Sequence, residues 1–394
     1  MIASSDAALL DPVELTRRLI RCPSVTPDEG GALDLMERWL TGLGFTCHRL
    51  PFSEVGSAEV DNLYARLGAD GNNFCYAGHT DVVPVGDAAA WSVDPFGAEI
   101  VDGCVVGRGA VDMKGAIACF IAALAGFLDR RGRAFGGSIS LLITGDEEAD
   151  AINGTRKVLA WLAERGETLD ACLVGEPTSN ERLGDMVKIG RRGSLNGVLT
   201  VTGTQGHTAY PHLADNPLHH LVRMLDALTN EALDDGSEHF PPSSLQLTSI
   251  DVGNPTANLV PAKAGAAFNV RFNDLHSSAA IEDWLRARLD RAIDGSRGAR
   301  YEFAIRVSGE AFLCPPGRFS DLIAGAVEQV VGVTPELGTG GGTSDARFIK
   351  DCCPIAELGL LNTTAHQVDE RVSIADLKDL TAIYAAVLNR YFPG

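Results

Sequence analysis

The sequence predicts an α/β protein in which a larger domain with a mixed sheet is interrupted by a smaller inserted domain. Three observations carry this prediction. Up to about residue 190, short apolar runs alternate with helical patterns, which is typical of a parallel or mixed sheet with covered faces. The next segment reads as strands and helices in the order βαββαβ, and after residue 307 the first pattern returns. The predicted boundaries are 1–190, 191–306 and 307–394.

The elements of the larger domain follow from local patterns. Asp11 can cap a first helix, Pro12 suits the first helical position, and Glu14 stands where a capping box places its acid. Buried strands are predicted at 73–78, 138–144, 171–175 and 354–359, and helices near 31–43, 116–130, 153–165 and 374–391.

The inserted segment has its own regular order. Strands are predicted at 197–203, 244–253, 264–273 and 301–307, and helices at 215–230 and 278–294. This order is the split-βαβ or ferredoxin-like arrangement, which can fold as a small domain of its own.

Composition restricts the class of function. The chain has 394 residues, 45% of them hydrophobic and 22% charged, which is typical of a globular protein rather than a disordered one. With 33 Lys and Arg against 52 Asp and Glu, the net charge is −19. Such a charge argues against a nucleic acid or an anionic membrane as the partner.

The cysteines and the N-terminus favour the cytoplasm. The nine cysteines are odd in number and form no CxxC motif, a pattern that fits a reducing compartment rather than a disulfide framework. The first 20 residues lack the basic and apolar regions of a signal peptide. The longest apolar run, 116–128, is well short of the roughly 20 residues that a membrane span needs.

Five short segments place a His, Asp or Glu at or just beyond a predicted strand, usually beside glycine. Ligands of open α/β sheets gather outside the carboxyl ends of the strands, so these side chains are expected to converge. Two imidazoles and three carboxylates suit zinc, manganese or cobalt. With one carboxylate bridging, they would serve two ions about 3.5–4 Å apart. The five candidate ligands are His79, Asp112, Glu148, Glu176 and His366.

Neighbouring carboxylates strengthen the prediction of a catalytic metal centre. Asp81 follows His79 by two residues and is expected to accept the second ring N–H of that histidine. Glu147 and Glu148 are adjacent and therefore point in different directions. One of them can bind metal while the other takes a proton from a water whose pKa the metal has lowered.

Two other interpretations are weaker. The glycine-rich segment 338–345 resembles a phosphate-binding loop but lacks the Gly-Lys-Ser/Thr ending, which argues against nucleotide binding. Ser344 and Asp345 could belong to a serine hydrolase, but no G-x-S-x-G motif occurs.

Taken together, the motifs resemble the metal-dependent amidohydrolase family that contains acetylornithine deacetylases, aminoacylases, carboxypeptidase-G-like enzymes and succinyl-diaminopimelate desuccinylases. The resemblance covers nearly the whole chain and keeps the order of the family's motifs. They are GHTDVVP (78–84), GRGAVDMKGAIA (107–118), LLITGDEEADAINGT (141–155), GEPT (175–178), GRRGSL (190–195), GHTAYPHLADNP (206–217), GGTSDARF (341–348) and ELGLLN with His366 (357–366).

The resemblance implies a catalytic domain of the zinc aminopeptidase type and an inserted dimerisation domain. It further implies that His79 and Glu176 hold one zinc ion, Glu148 and His366 hold the other, and Asp112 bridges them. Glu147 would be the general base and acid, and the peptide bond after Asp112 would be cis. His207 would reach across a homodimer and help to stabilise the oxyanion in the partner's active site.

The resemblance also implies hydrolysis of N-succinyl-LL-2,6-diaminopimelate by a metal-bridging water. A succinyl group carries its own carboxylate, which a guanidinium binds well, so Arg191, Arg192 and Arg271 are candidate receivers. The alternatives are deacetylation of acetylornithine or another N-acyl amino acid, and a non-catalytic metal-binding scaffold. The substrate-binding residues that the resemblance implies are Arg191, Tyr210, Asn258, Arg271, Gly342, Thr343 and Asn362.

Overall fold

The computed structural model describes residues 11–69 and 71–393, which divide into two compact units. The larger unit comprises the described residues up to 189, together with 314–338 and 344–393. The smaller unit comprises Gly190–Leu313 and Thr339–Thr343. It is therefore longer than the predicted insertion at 191–306, because it also includes Gly190 and residues 307–313 and 339–343, which the sequence assigned to the larger domain.

The larger unit contains both strands and helices along its whole length. Its elements are α1 (Pro12–Ile20), α2 (Ala32–Leu43), β1 (Thr46–Arg49), β2 (Leu63–Leu67), β3 (Asn73–His79), β4 (Glu99–Val101), β5 (Cys104–Val106), α3 (Lys114–Arg131), β6 (Ser138–Thr144), α4 (Thr155–Glu164), β7 (Ala171–Val174) and β8 (Met186–Lys188).

The smaller unit follows without a break. Its elements are β9 (Gly190–Arg191), β10 (Gly193–Thr202), β11 (Gly206–His207), α5 (Pro217–Thr229), β12 (Ser244–Asp251), β13 (Leu259–Val260), β14 (Lys263–Phe272), α6 (Ser278–Ile293), β15 (Arg300–Gly309) and β16 (Phe312–Leu313). The larger unit then closes with α7 (Arg318–Val331), β17 (Glu336–Gly338), α8 (Ala346–Ile349), β18 (Ile355–Glu357), β19 (Arg371–Ser373) and α9 (Ile374–Tyr391).

A mixed eight-stranded sheet forms the centre of the larger unit, in the order β1-β2-β6-β3-β7-β18-β8-β17. The four strands β6, β3, β7 and β18 run parallel, whereas β2 and β8 join them antiparallel. Every residue of β3 and β6 is buried, as expected for parallel strands whose two faces are covered. The buried helix α3, which packs on α1 and α9, provides part of that cover.

The smaller unit is a four-stranded antiparallel sheet in the order β12-β14-β10-β15. Along β14, buried residues alternate with more accessible ones, which is the period-two pattern of a strand with one covered face. Phe268, Leu199 and their neighbours on this face form one apolar core with Leu221 of α5 and Leu285 of α6.

The mixed α/β class is therefore confirmed, and so are the main predicted elements. Asp11 caps α1 through its side chain, which accepts a hydrogen bond from the N–H of Val13. The capping-box interpretation of Glu14 is wrong, because this carboxylate instead pairs with Arg17 and Arg18 one turn further along the helix.

A membrane-spanning helix must be both long enough and apolar enough. Within residues 11–69 and 71–393, no helix meets both requirements.

Candidate metal centre

The ends of three neighbouring parallel strands place acidic and imidazole side chains at one edge of the large sheet. His79 is the last residue of β3, Glu147 and Glu148 follow β6, and Glu176 follows β7. Because β3 lies between β6 and β7 and runs parallel to both, the three carboxyl ends meet there. His79 and Glu176 are both buried.

Asp112 lies between two imidazoles. Its Oδ1 is 3.2 Å from Nε2 of His79, and its Oδ2 is 3.3 Å from Nε2 of His366. Each oxygen of one carboxylate therefore faces a different ring, which is the placement that a bridging ligand requires. The peptide bond from Asp112 to Met113 is cis, as the resemblance implies.

The five predicted ligands form two groups of three that share Asp112. In the first group, His79 Nε2 lies 3.7 Å from a Glu176 carboxylate oxygen. In the second, His366 Nε2 lies 2.9 Å from a Glu148 carboxylate oxygen. Within each group, the donor atoms all lie within 4.8 Å of one another.

This donor set fits divalent metal ions. Imidazole nitrogens and carboxylate oxygens without a thiolate suit zinc, cobalt and manganese. The site also gathers more carboxylates than imidazoles, and a concentration of largely buried negative charge is costly unless cations compensate it.

The orientation of His79 is fixed by the chain segment that follows it. Its Nδ1 is 2.9 Å from the main-chain oxygen of Asp81 and 3.7 Å from a carboxylate oxygen of the same residue. The nearest acceptor is thus the carbonyl and not the carboxylate that the sequence suggested. A proton on Nδ1 leaves the lone pair of Nε2 directed at Asp112 and Glu176, which is the tautomer that binds metal.

The carboxylate of Asp81 has a different role. It accepts hydrogen bonds from the backbone N–H groups of Glu147, at 3.3 Å, and Glu148, at 3.0 Å. Burial raises the pKa of Asp81 to about 7, although His79 and these two N–H groups oppose the shift. Asp81 therefore holds the loop that carries both glutamates.

The surroundings of Glu147 change the pKa of its carboxyl group. Burial and the nearby carboxylate of Glu176 raise its pKa well above the usual value, against the opposing effect of His79. A carboxyl group with a raised pKa accepts a proton more readily than an ordinary carboxylate does.

His366 lies on an irregular loop before β19. Its φ is +62°, a left-handed conformation that is uncommon for a residue other than glycine. Hydrogen bonds to Asp112 and Glu148 raise the pKa of its half-exposed imidazole to about 10.

Sequence reasoning missed a buried ion pair behind these ligands. Arg108 Nη1 lies 2.8 Å from a carboxylate oxygen of Glu370, and both side chains are almost fully buried. The residues are 262 positions apart, so no local pattern could join them.

The smaller unit contains most of the predicted substrate residues. His207 is exposed, and its Nδ1 accepts a 3.0 Å hydrogen bond from the N–H of Ala209. A neutral ring therefore carries its proton on Nε2, which can donate to a ligand. Tyr210 is exposed beside His207, and the centroids of the two rings are 5.5 Å apart. The main-chain oxygen of Asn258 accepts a hydrogen bond from the N–H of Thr208.

The arginines form a second feature of the smaller unit. Arg191 is buried and donates to the main-chain oxygen of Gly342, which is followed by Thr343. Among the residues that the structure describes, Nε of Arg192 and Nη1 of Arg271 are buried polar atoms without a hydrogen-bond partner. Burial lowers the pKa of both, and the nearby Arg192 lowers that of Arg271 further.

Two remaining candidates lie in the larger unit. Asn362 is exposed at the start of a short 3-10 turn, Asn362–Thr364. Ser344 is fully buried, and its hydroxyl donates to Glu357 at 2.8 Å, which does not suit a hydrolase nucleophile.

Comparison with known proteins agrees with this geometry. The model of peptidase family M20/M25/M40 matches residues 75–390. The chain belongs to this family. Members of M20/M25/M40 are metal-dependent, as the two ligand groups would require.

Two relatives with high sequence identity to this M20/M25/M40 chain are succinyl-diaminopimelate desuccinylases. It is 62% identical to a succinyl-diaminopimelate desuccinylase from Rhodospirillum centenum, over 98% of both chains. It is 58% identical to a protein of the same name from Parvibaculum lavamentivorans, over 100% of this chain and 98% of the relative.

Solved structures of the M20 family share the fold. A metallo-carboxypeptidase from Sulfolobus solfataricus superposes with a TM-score of 0.78 at 16% identity, covering 97% of this chain and 99% of the other. A dinuclear metal-binding peptidase from Bacillus subtilis gives a TM-score of 0.68 at 16% identity, covering 98% and 99%.

Proposed function

We propose that the chain hydrolyses N-succinyl-LL-2,6-diaminopimelate to succinate and LL-2,6-diaminopimelate, a step of lysine and cell-wall precursor synthesis, with the help of two divalent metal ions. The observation that carries the proposal is the pair of ligand groups sharing Asp112, with Glu147 next to the candidate ligand Glu148 in the chain. The names of relatives that are 62% and 58% identical support the substrate.

The proposed metal ligands form the same two groups as the side-chain contacts described above. His79 and Glu176 would hold one ion, Glu148 and His366 the other, and Asp112 both. When bound, such ions lower the pKa of water and polarise a carbonyl oxygen. Zinc is the ion we propose, and cobalt or manganese would suit the same ligands.

Glu147 would move the proton. Its carboxylate would take a proton from the attacking water and deliver it to the nitrogen of the leaving amine. Because Glu147 is next to the proposed ligand Glu148, it would lie close enough to the metal centre to serve as both base and acid. Asp81 would keep Glu147 in place through the backbone of its loop.

His207 would donate from Nε2 to the oxyanion that develops on the amide carbonyl. We propose that it does so in a homodimer formed through the smaller unit. Eight large exposed apolar side chains lie in that unit, out of twelve among the described residues, and a contiguous patch of them would mark an interaction surface. They are Val198, Tyr210, Leu213, Val222, Leu247, Ile250, Leu275 and Val307.

The arginines of the smaller unit would select the succinyl group. Arg192 and Arg271 each have a buried guanidinium nitrogen without a hydrogen-bond partner among the described residues, and the positive charge of Arg192 lowers the pKa of Arg271. Two such cations are costly together unless an anion joins them. The carboxylate of the succinyl group is that anion in our proposal, with Arg191, Tyr210, Asn258, Gly342, Thr343 and Asn362 completing the substrate contacts.

We place the reaction in the cytoplasm. All nine cysteines are free thiols, which is typical of proteins in a reducing compartment.

An amide-hydrolysis assay of zinc-loaded protein tests the proposal. N-succinyl-LL-2,6-diaminopimelate and N-acetylornithine would be compared at equal concentration, each with and without a chelator. Chelator-sensitive release of succinate, with slow turnover of the acetyl substrate, is the expected result. Turnover of only the acetyl substrate would keep the metal centre and overturn the specificity. Two bound zinc ions without activity on either substrate would favour a non-catalytic scaffold.

A further inference from the structure

The buried ion pair of Arg108 and Glu370 contacts the main chain of both metal-ligand loops. The carboxylate of Glu370 accepts from the N–H groups of Gly109, Val111 and Asp112, at 3.0, 2.8 and 3.1 Å. With the 2.8 Å contact to Arg108, it accepts four hydrogen bonds, about as many as a carboxylate can accept.

Arg108 extends the same network to the second loop. Its Nη1 donates to the main-chain oxygen of Gln367 at 3.3 Å, and its Nη2 to that of His366 at 3.5 Å and that of Pro84 at 3.3 Å. The planar guanidinium makes these contacts simultaneously, which the single ammonium group of a lysine would not do.

Both loops need such support because neither ligand lies within a regular element. Asp112 precedes α3 in a turn, and His366 has the left-handed backbone conformation described above. A residue in this conformation persists only when its surroundings hold it.

We propose that Arg108 and Glu370 are positioning residues that set Asp112 and His366 at the spacing the second metal ion requires. The inference rests on the proposed metal centre and deepens it. Glu370 acts on the shared ligand Asp112 through the backbone of residues 109–112, and Arg108 acts on His366 through its carbonyl.

The two residues are expected to affect the ligand groups differently. Arg108→Lys removes contacts to the His366 loop, so it should weaken the group of Asp112, Glu148 and His366. Glu370→Gln places an amide NH₂ against backbone donors of the Asp112 loop, so it should weaken both groups. Loss of residues that orient metal ligands typically reduces metal affinity by about 10–100-fold.

The test is cobalt binding, measured by calorimetry and by visible absorption. Each variant would be made in two backgrounds. Glu176→Ala leaves only the His366 group complete, and His366→Ala leaves only the His79 group complete. Arg108→Lys should weaken cobalt binding about 10–100-fold in the first background and change it much less in the second. Glu370→Gln should weaken it in both.

Glu167→Gln is the matched control. Glu167 pairs with Arg66 and also accepts from the hydroxyl of Tyr64 at 2.8 Å, so it is another carboxylate with several partners in the larger unit. Its replacement should lower the melting temperature but leave both cobalt affinities unchanged.

The outcomes separate the two proposals. If the parent protein binds no cobalt, the metal centre itself is wrong, and this inference falls with it. If the parent binds two ions and both variants bind them as tightly as Glu167→Gln does, the ion pair is only structural and the inference alone is overturned. Should Glu370→Gln fail to fold by circular dichroism, the site-selective effect of Arg108→Lys decides the question.

Discussion

The Oδ2 atom of Asp81 accepts a 3.0 Å hydrogen bond from the backbone N–H of Glu148. This contact joins the segment after β3 to the loop after β6. One residue thus fixes two features of the site, since its carbonyl orients His79 and its carboxylate holds the loop that carries Glu147 and Glu148.

Replacement of Glu147 by glutamine should separate proton transfer from metal binding. Glu147→Gln keeps the size of the side chain but cannot accept the proton, so kcat should fall about 10²–10⁴-fold. Metal content, measured by atomic emission, should stay at two ions, because the proposed ligands are unchanged. Retention of parental kcat would show that another group is the base.

His207 and Glu147 together test the homodimer. If His207 acts in the partner's active site, neither His207→Ala nor Glu147→Gln protein is fully active alone. Co-refolding or co-expression of the two should restore activity to about a quarter of the parent, since half of randomly paired dimers contain one intact site.

As a control, each variant would be mixed with parent protein and assayed in the same way. Sedimentation of each sample would establish its oligomeric state. If His207 acts within its own subunit, the mixture stays as inactive as its components. A fully active monomer would remove the dimer from the mechanism.

Arg271 should determine preference for the succinyl group. Arg271→Met preserves most of the side-chain length and removes the cation. The KM for the succinyl substrate should rise about 10–100-fold, the factor expected for one charge-assisted hydrogen bond. Turnover of an acetylated amino acid should change little, and equal losses on both substrates would mean that Arg271 only supports the fold.

Gly359 should be needed for the position of Glu176. A Cβ at this glycine would clash with the main-chain oxygens of Gly175 and Glu176. Gly359→Ala should therefore lower the melting temperature and weaken metal binding.

The matched control is Gly42→Ala, in the exposed part of α2, where a Cβ meets nothing within 4 Å. It should stabilise the helix by about 0.5–1 kcal/mol, because alanine loses less backbone entropy than glycine. If Gly359→Ala had the same melting temperature and metal affinity as Gly42→Ala, the main chain at Glu176 would be free to move away from the added Cβ.

The sequence predicted the ligand candidates well because chemistry coincides there with a strand end. His79, Glu148 and Glu176 each follow an apolar run that reads clearly as a buried strand, and the geometry of a parallel sheet then brings them together. The short strands β1 and β2 were not predicted. The four residues of β1 are at least partly exposed and mostly polar, so they form no apolar run.

The supporting residues could not be predicted in the same way. Glu370 and Arg108 are 262 positions apart, and they contact backbone N–H and C=O groups. Such contacts leave no side-chain pattern in a single sequence. The same holds for the orientation of His79, where the structure uses a carbonyl instead of the expected carboxylate. Residues 339–343 belong to the smaller unit for a similar reason, through the contact of Arg191 with Gly342.

Asp234 should make the smaller unit sensitive to acid. Its carboxylate accepts from the N–H groups of Gly236 and Ser243, at 2.9 and 3.0 Å, and from the side-chain amide of Asn273 at 2.6 Å. His276 faces its other oxygen at 3.0 Å. Although burial opposes the shift, hydrogen bonds from Ser243, Gly236 and Asn273 lower the pKa of Asp234 to about 2 from its usual 3.8.

A carboxylate whose pKa is lower in the folded protein stabilises the fold above its unfolded pKa, and the contribution is lost as the pH falls through the folded value. Asp234→Asn should therefore lower the melting temperature at pH 7, and the difference from the parent should shrink as the pH falls from about 5 towards 2. Asp283→Asn, on the exposed side of α6, serves as the control and should change little at any pH. A difference between Asp234→Asn and the parent that stays constant over this range would show that packing, and not the charge of Asp234, stabilises the loop.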